Sequence, residues 1–373
     1  MNTMRQKGFS LVELMIAILL AAITAIVVLQ VLTSYQNRSN TMAGRNDAEI
    51  SAAVGLYAVE KDIRMAGAGL TTPQGRLCQQ GVNIAWNGAA VSSGAPLLSM
   101  RIIDGGAGPD TIQIIRSDSD FGAAPTRLIA SMSSPTAQLS VDGKAGLQNG
   151  DLVMVGSSDG SKICTLMQLT SAPAANGSGW LLTAGAGVGN YNPADPAATY
   201  GANAVSYTVR DNVMNMGTYG VRRYGIVCNS GSTPVATNIC DLAAWNPLST
   251  PAPTLAGVTS ISPQVVEFQA QYGISALATS DVVTSWVDAT GTWAAPTLAN
   301  QGRIKAVRIS IVARGAREGA QVAPASVLLW DDDNGDTVND DPRNRNFTTA
   351  ERRFRYQTLT VVIPLINAIW ARS

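Results

Sequence analysis

The chain has 373 residues, with 26 Lys and Arg balanced by 26 Asp and Glu, and it contains no histidine. Zero net charge excludes a global electrostatic pull toward nucleic acid or anionic lipid; the missing histidine excludes Ser-His-Asp and Cys-His catalytic pairs, His proton shuttles and His metal sites. Charged residues make up only 14% of the chain against 35 Gly and 17 Pro, which argues for a strand-and-turn body rather than long solvated helices.

The N-terminus carries the strongest signal. From Phe9 to Leu29 the only strongly polar side chain is Glu13. About 20 apolar residues suffice for a helix to cross a bilayer. Ser10 and Thr24 are tolerated there, since each hydroxyl can bond a carbonyl one turn back. Arg5 and Lys7 precede the span and no acid does, so residues 1–8 are expected in the cytoplasm and everything after Leu29 outside. A cleaved secretory signal has a shorter apolar run, about 7–15 residues, ending in a small-x-small site. Neither that reading nor a plain anchor explains Glu13, because a carboxylate in a membrane span costs at least ~2.5 kcal/mol.

The run Lys7-Gly8-Phe9-Ser10-Leu11-Val12-Glu13-Leu14-Met15-Ile16-Ala17 resembles the class III signal of type IV pilins and type II secretion pseudopilins. The resemblance implies cleavage after Gly8 by a prepilin peptidase and N-methylation of the new terminus, Phe9. Glycine fits such a site because it lets a protease approach the backbone closely. Cleavage leaves a cationic amine at Phe9 one helical turn from Glu13, so in a filament Glu13 can face the amine of a neighbouring subunit. A charge pair in low dielectric offsets part of the burial cost of both groups. A protonated Glu13 in lipid is the plainer alternative.

The helical pattern continues from Tyr35 to Met65, with no proline before Pro73. Ala52, Leu56, Val59 and Ile63 repeat at four-three-four spacing, and Ile50, Val54 and Tyr57 are read as an adjacent stripe completing one apolar face. Glu60, Lys61, Asp62 and Arg64 mark the wet face. Gly67 and Gly69 stop the helix. One helix is therefore predicted over residues 9–66, with a transmembrane part at 9–29 and with Gly44 and Gly55 as weak points.

Beyond it, residues 70–373 read as a β-rich periplasmic or extracellular head. Strands are predicted at 97–103, 111–116, 126–131, 137–141, 151–155, 162–169, 180–183, 204–210, 219–227, 264–272, 303–313 and 354–364. Residues 229–263, rich in Pro, Ser, Thr and Asn, read as a long surface excursion. The fold class is α+β: a long N-terminal pilin helix, membrane-spanning in its first half, packed on a large β-rich globular head of one subdomain or two.

Three later segments extend the resemblance: Asp62-Ile-Arg64-Met-Ala-Gly67, Val307-Arg308-Ile-Ser-Ile-Val-Ala-Arg314, and Arg352-Arg-Phe-Arg-Tyr356 followed by Val361-Val-Ile-Pro-Leu-Ile-Asn367. With the length, they resemble the PilW type of minor pilin and, more loosely, the J-type minor pseudopilin of type II secretion. The resemblance implies a non-enzymatic subunit of a type IV pilus, in a tip complex that primes assembly. Its partners would be other minor pilins, the major pilin, a large tip adhesin, the prepilin peptidase and the inner membrane. The chain would cross the inner membrane once before joining the cell-surface pilus. A pseudopilin, and a membrane-anchored periplasmic binding protein, are the competing readings.

The four cysteines, Cys78, Cys164, Cys228 and Cys240, suit disulfides in an exported head. Three pairings are open. Cys228–Cys240 closes a short loop and is favoured, with Cys78–Cys164 following by exclusion; buried free thiols are the alternative. Gly156-Ser157-Ser158-Asp159-Gly160 matches a nucleophile-elbow spacing, but that motif needs a following helix and a His base. A β-hairpin turn is the expected reading. The acidic run from Asp331 to Asp341 resembles Asp-rich calcium loops, since Ca²⁺ takes about six to eight oxygen ligands. Asp331, Asp333, Asp336, Asn339 and Asp341 are the candidate ligands for Ca²⁺, and no cofactor is expected to be required. The run fails as an EF-hand because Trp330 falls at the first ligand position; a solvated acidic turn, or pairing with Arg343, Arg345, Arg352, Arg353 and Arg355, competes. No basic–aromatic cluster points to nucleic acid.

Overall fold

The structure is a computed structural model that describes residues 10–72, 75–119, 125–144, 146–217, 220–230, 234–235, 237–315, 323–330 and 343–367. The long helix runs unbroken over Leu11–Arg64 and ends where the Met65 N–H bonds the carbonyls of Asp62 and Ile63. Gly67 and Gly69 then take positive φ angles, 79° and 83°, a backbone that favours glycine and turns the chain away. The predicted start, Phe9, lies outside the described residues. Thr24 bonds the carbonyls of Leu20 and Ala21 as expected. Ser10 instead caps the helix in extended conformation, with no hydrogen bond from its side chain to the helix N-terminus.

The helix has two halves with opposite surroundings. Residues 11–40 are exposed throughout. In the second half Gly44, Ala48, Ala52, Gly55, Val59, Asp62 and Ile63 are buried. Two expectations are corrected here. Ile50, Val54 and Tyr57 do not widen the packed face; they are exposed. At about 100° per residue, Ile50 points away from Ala52 rather than beside it. Asp62 is likewise not on the wet face: three residues from Val59 and next to Ile63, it faces the head. The helix also passes Gly44 and Gly55 without interruption. They are the places where the head comes closest.

The head is described as two lobes that share packing at their seam. In the first, the helix lobe, a four-stranded antiparallel sheet runs in the order Ser285–Val287, Val265–Ile274, Ile304–Arg314 and Tyr356–Pro364. It faces a five-stranded sheet in the order Thr259–Pro263, Cys240–Trp245, Val221–Cys228, Thr111–Ile115 and Met100–Ile103. We call these the inner and middle sheets. Alternate residues Phe268, Ala270 and Tyr272, with Val307, Ile309 and Ile311, share one continuous core with Ile102, Ile112, Ile114, Tyr224 and Leu242 and with the buried side of the helix. Each large aliphatic or aromatic side chain taken from water there contributes about 1.5–3 kcal/mol. The Tyr272 hydroxyl accepts from the Ile102 N–H at 2.7 Å, tying sheet to sheet.

The second, outer lobe is built on a six-stranded sheet in the order Ala89–Ala95, Val82–Trp86, Cys164–Gln168, Leu152–Gly156, Asn212–Gly217 and Pro125–Arg127. Both of its faces are covered. Leu152, Met154, Leu166 and Met214 pack toward the middle sheet, where Ile115 and Val221 join them. Val153, Val155, Met167 and Val213 pack on the other side with Leu139, Val141 and Leu182 of a small three-stranded sheet. This two-sided burial explains why Leu152-Val-Met-Val155 is apolar without alternation.

The structure moves two more sequence assignments. Residues 204–210 form no strand; the Tyr207 ring is buried there, its hydroxyl bonded to the Ile163 carbonyl. The strand begins after the turn at Arg210, at Asn212. Residues 229–263 are not wholly an excursion either. Cys240–Trp245 and Thr259–Pro263 complete one side of the middle sheet.

Candidate assembly interface

Among the described residues, the long helix is the one segment long and apolar enough to cross a membrane. Glu13 stands in its first turn, exposed, with Leu11, Leu14, Ile18 and further apolar residues exposed around it. Gly8 and Phe9, the expected cleavage and methylation positions, lie outside the described residues. The geometry therefore gives a carboxylate near the start of a bare apolar rod whose far end is built into a head.

The joint between rod and head is tight. A Cβ placed on Gly315, at the end of the inner sheet, would lie 2.3 Å from the Gly44 carbonyl oxygen, and one on Gly55 would lie 3.0 Å from Leu242. Small residues on both sides allow backbone to approach backbone. The Ser262 hydroxyl donates to the Ser51 carbonyl at 2.6 Å. At the helix end Gly67 N–H donates to Ile115 O at 2.9 Å, and the Asn367 amide donates to Ala66 O at 3.0 Å.

Asp62 is the electrostatic centre of this joint. Its carboxylate lies 3.2 Å from Arg222 Nη1 and 3.5 Å from Arg116 Nη2, and it accepts the Tyr224 hydroxyl. Burial, with the Asp62 contact adding to it, pushes the Tyr224 hydroxyl up to about 12. A buried carboxylate held by two guanidiniums and a phenol is satisfied only in one docking of helix on sheet. Its signal in the sequence was position, since Asp62 lies on the same helical side as Val59 and Ile63.

The cysteines pair as favoured: Cys228–Cys240 staples two adjacent strands where the residues stand directly opposite, and Cys78–Cys164 anchors the segment after the helix to the outer sheet. Gly156–Gly160 is the turn between two antiparallel strands, as expected. The candidate calcium ligands Asp331, Asp333, Asp336, Asn339 and Asp341 lie outside the described residues. Among the described residues no group of three carboxylate or thiol side chains converges on a metal-sized site. Two of the arginines expected to compete for the acidic run have partners elsewhere: Arg345 pairs with Glu267 and Glu351 at 3.0 and 2.7 Å, and Arg343 donates to the Gly106 carbonyl at 2.7 Å.

A bare apolar N-terminal rod with an acid in its first turn, built at its far end into a β-rich head, is the architecture that the resemblance to type IV pilins implies. The family comparisons agree at both ends of the chain. Residues 3–29 match the prokaryotic N-terminal methylation motif, and residues 249–367 match the family described as Type IV Pilus-assembly protein W. Together the two matches support a type IV minor pilin. The second match takes in the inner sheet and ends at Asn367, the residue that bonds the end of the helix. No curated protein and no solved structure matches the chain.

Proposed function

We propose that this chain is a minor pilin, held in the inner membrane by residues 9–29 with its head outside, cleaved after Gly8, methylated at Phe9, and assembled into a type IV pilus through its helix. Its role is structural, in a tip complex that primes assembly with other minor pilins and the major pilin. A large tip adhesin is a further candidate partner. The observation that carries the reading is the exposed apolar half-helix with Glu13 in its first turn. Left in water, that surface is unfavourable by about 25 cal/mol per Å², so it needs lipid or the helices of other subunits. The outer lobe, which lies outside both family matches, adds bulk that suits a rare, terminal subunit better than one repeated along a shaft. The PilW match favours the pilus over the type II secretion reading.

The test is Glu13→Val. A carboxylate that meets the amine of a neighbour is needed for incorporation and not for insertion, so the variant should reach the inner membrane normally and vanish from sheared filaments. Recovery of the variant in filaments at the wild-type level would refute the role given to Glu13. Loss of twitching with secretion intact separates the pilus from the secretion reading.

A further inference from the structure

The inner sheet ends in an open edge. Tyr356–Pro364 is its last strand, paired on one side with Ile304–Arg314 through nine consecutive residue pairs and no register shift. At the two ends of this ladder the Leu365 N–H donates to Lys305 O at 2.9 Å and the Gly315 N–H donates to Arg355 O at 2.7 Å. Hydrogen-bonded pairs alternate along an antiparallel ladder. The odd-numbered residues of the strand therefore bond inward, and Thr358, Thr360 and Val362 aim their N–H and C=O groups out of the sheet. Among the described residues no group bonds these backbone atoms. Thr360 and Val362 are exposed, Val362 by 50%.

Other edges of the head are closed or interrupted. Ala89–Ala95 pairs with register shifts, and its Ser93 carbonyl is taken by the Asn203 amide. Thr259–Pro263 also carries a register shift, and the Ile102 N–H of Met100–Ile103 is taken by Tyr272. Tyr356–Pro364, at nine residues, is the longest strand to end a sheet among the described residues. Soluble proteins guard such edges with charge, proline, a bulge or a cover. Tyr356-Gln-Thr-Leu-Thr-Val-Val-Ile-Pro364 has no charge, and no proline before its last position. Its β-branched residues suit an extended backbone. An unguarded edge of this length is a template for one more strand.

The position of the edge indicates what completes it. Leu359, Val361 and Ile363 pack into the core shared with the helix. At one end of the strand Gly315, bonded to Arg355, meets Gly44; at the other, Asn367 bonds the Ala66 carbonyl. The open edge therefore follows the rod from Gly44 to Ala66, directly beyond its bare half. A subunit packed along the bare half is carried by the same rod to this edge. We infer that Tyr356–Pro364 is completed by an extended segment from the head of the neighbouring pilin subunit. That segment bonds the free groups of Thr358, Thr360 and Val362 and lays an apolar side chain beside Val362. This contact rests on the assembly reading proposed above, and it lies apart from Glu13 and the bare half-helix.

The test is Val362→Pro in the full chain, with Val362→Lys as a second variant. The Val362 N–H points out of the sheet, so proline there removes no bond within the fold, and edge strands tolerate it. Lysine places a guarding charge on the edge. Both variants should keep the wild-type melting curve in detergent micelles and reach the inner membrane. Both should fall at least about tenfold in sheared filaments, the scale of one hydrogen-bond partner left unmatched. Val361→Pro, which removes an inward bond, should instead lower the melting temperature. If the proline variant melts early, the lysine variant carries the test. Recovery of the folded Val362 variant at the wild-type level, with Glu13→Val lost, would overturn the edge contact and leave the assembly reading standing. Retention of Glu13→Val as well would refute both. Hydrogen exchange of the isolated chain, resolved by residue, should be fast at Thr360 and Val362 beside a protected Val361. Equal protection of the three would overturn the proposal, assigning the edge to the chain's own residues.

Discussion

The helix lobe and the outer lobe are both β-rich and both stapled by one disulfide, yet they are held by different means. In the helix lobe the organising object is a rod of small residues, and the sheets close around it: Gly44 against Gly315, Gly55 against Leu242, Asp62 against two arginines and a tyrosine. In the outer lobe a single sheet is covered on both faces, and its covalent tie to the end of the helix is Cys78–Cys164. The difference is one of construction. The lobe that holds the helix is joined to it by close backbone contacts. The outer lobe is tied on through side-chain packing and one bridge, and it lies outside both family matches.

The comparison breaks first at the disulfides. Cys78–Cys164 spans 86 residues and Cys228–Cys240 spans 12. In the chain-entropy picture, Ser at both positions of the first pair costs about 4.5 kcal/mol, against about 3 for the second. Denaturant unfolding followed by tryptophan fluorescence should show the first double variant melting in two steps, outer lobe first, and the second in one. The next effect is steric. Gly315→Ala forces a methyl group onto the Gly44 backbone and should cost about 3 kcal/mol, the upper end of ordinary overpacking, read as loss of thermal stability. Asp62→Ala leaves Arg116 and Arg222 without their acid. Their partial exposure lets water answer them, so the cost falls from the buried-pair range to about 2 kcal/mol. The same denaturant titration checks it, and the loss should fall on the transition of the helix lobe.

The smallest effect sharpens the comparison by its sign. Burial pushes the Asp110 carboxyl up to about 7 despite the N–H groups of Gly105 and Ala270 that bond it, with Asp104 raising it and Arg343 lowering it. Burial raises Glu267 as well. An acid that holds its proton more tightly when folded stabilises the fold at low pH and loses that contribution as pH rises through its folded pKa. In the outer lobe Asp142 goes the other way. Burial there is outweighed by the Arg127 N–H and the Thr126 hydroxyl, and its carboxyl is lowered. The helix lobe should therefore lose stability between pH about 4 and about 7 while the outer lobe does not. Asp110→Asn should flatten most of that slope, as thermal melts across the range would show.

The sequence made the helix legible because a proline-free run at 3.6-residue spacing admits no other reading, and the Gly67 turn marks its end. Strands with alternation, such as Ile304–Arg314, were legible for the same reason of period. What escaped were strands hidden by composition: Cys240–Trp245 and Thr259–Pro263 sit among Pro, Ser and Thr and are defined by their neighbours in the sheet. Asp62 escaped because a charge in a helix reads as solvated until its partners arrive, and Arg116, Arg222 and Tyr224 are far along the chain. The open edge of Tyr356–Pro364 was invisible for that reason too, since it exists only through the strand's place in the sheet. Glu13 was legible without any structure, because an acid in a membrane span is anomalous in itself.

The central claim is that the bare half of the helix is a filament segment made by processing at Gly8. The most direct measurement is the intact mass of the chain recovered from sheared surface filaments. The account predicts a chain beginning at Phe9, carrying one added methyl group and two disulfides. An uncleaved chain beginning at Met1 and confined to the inner membrane would contradict it.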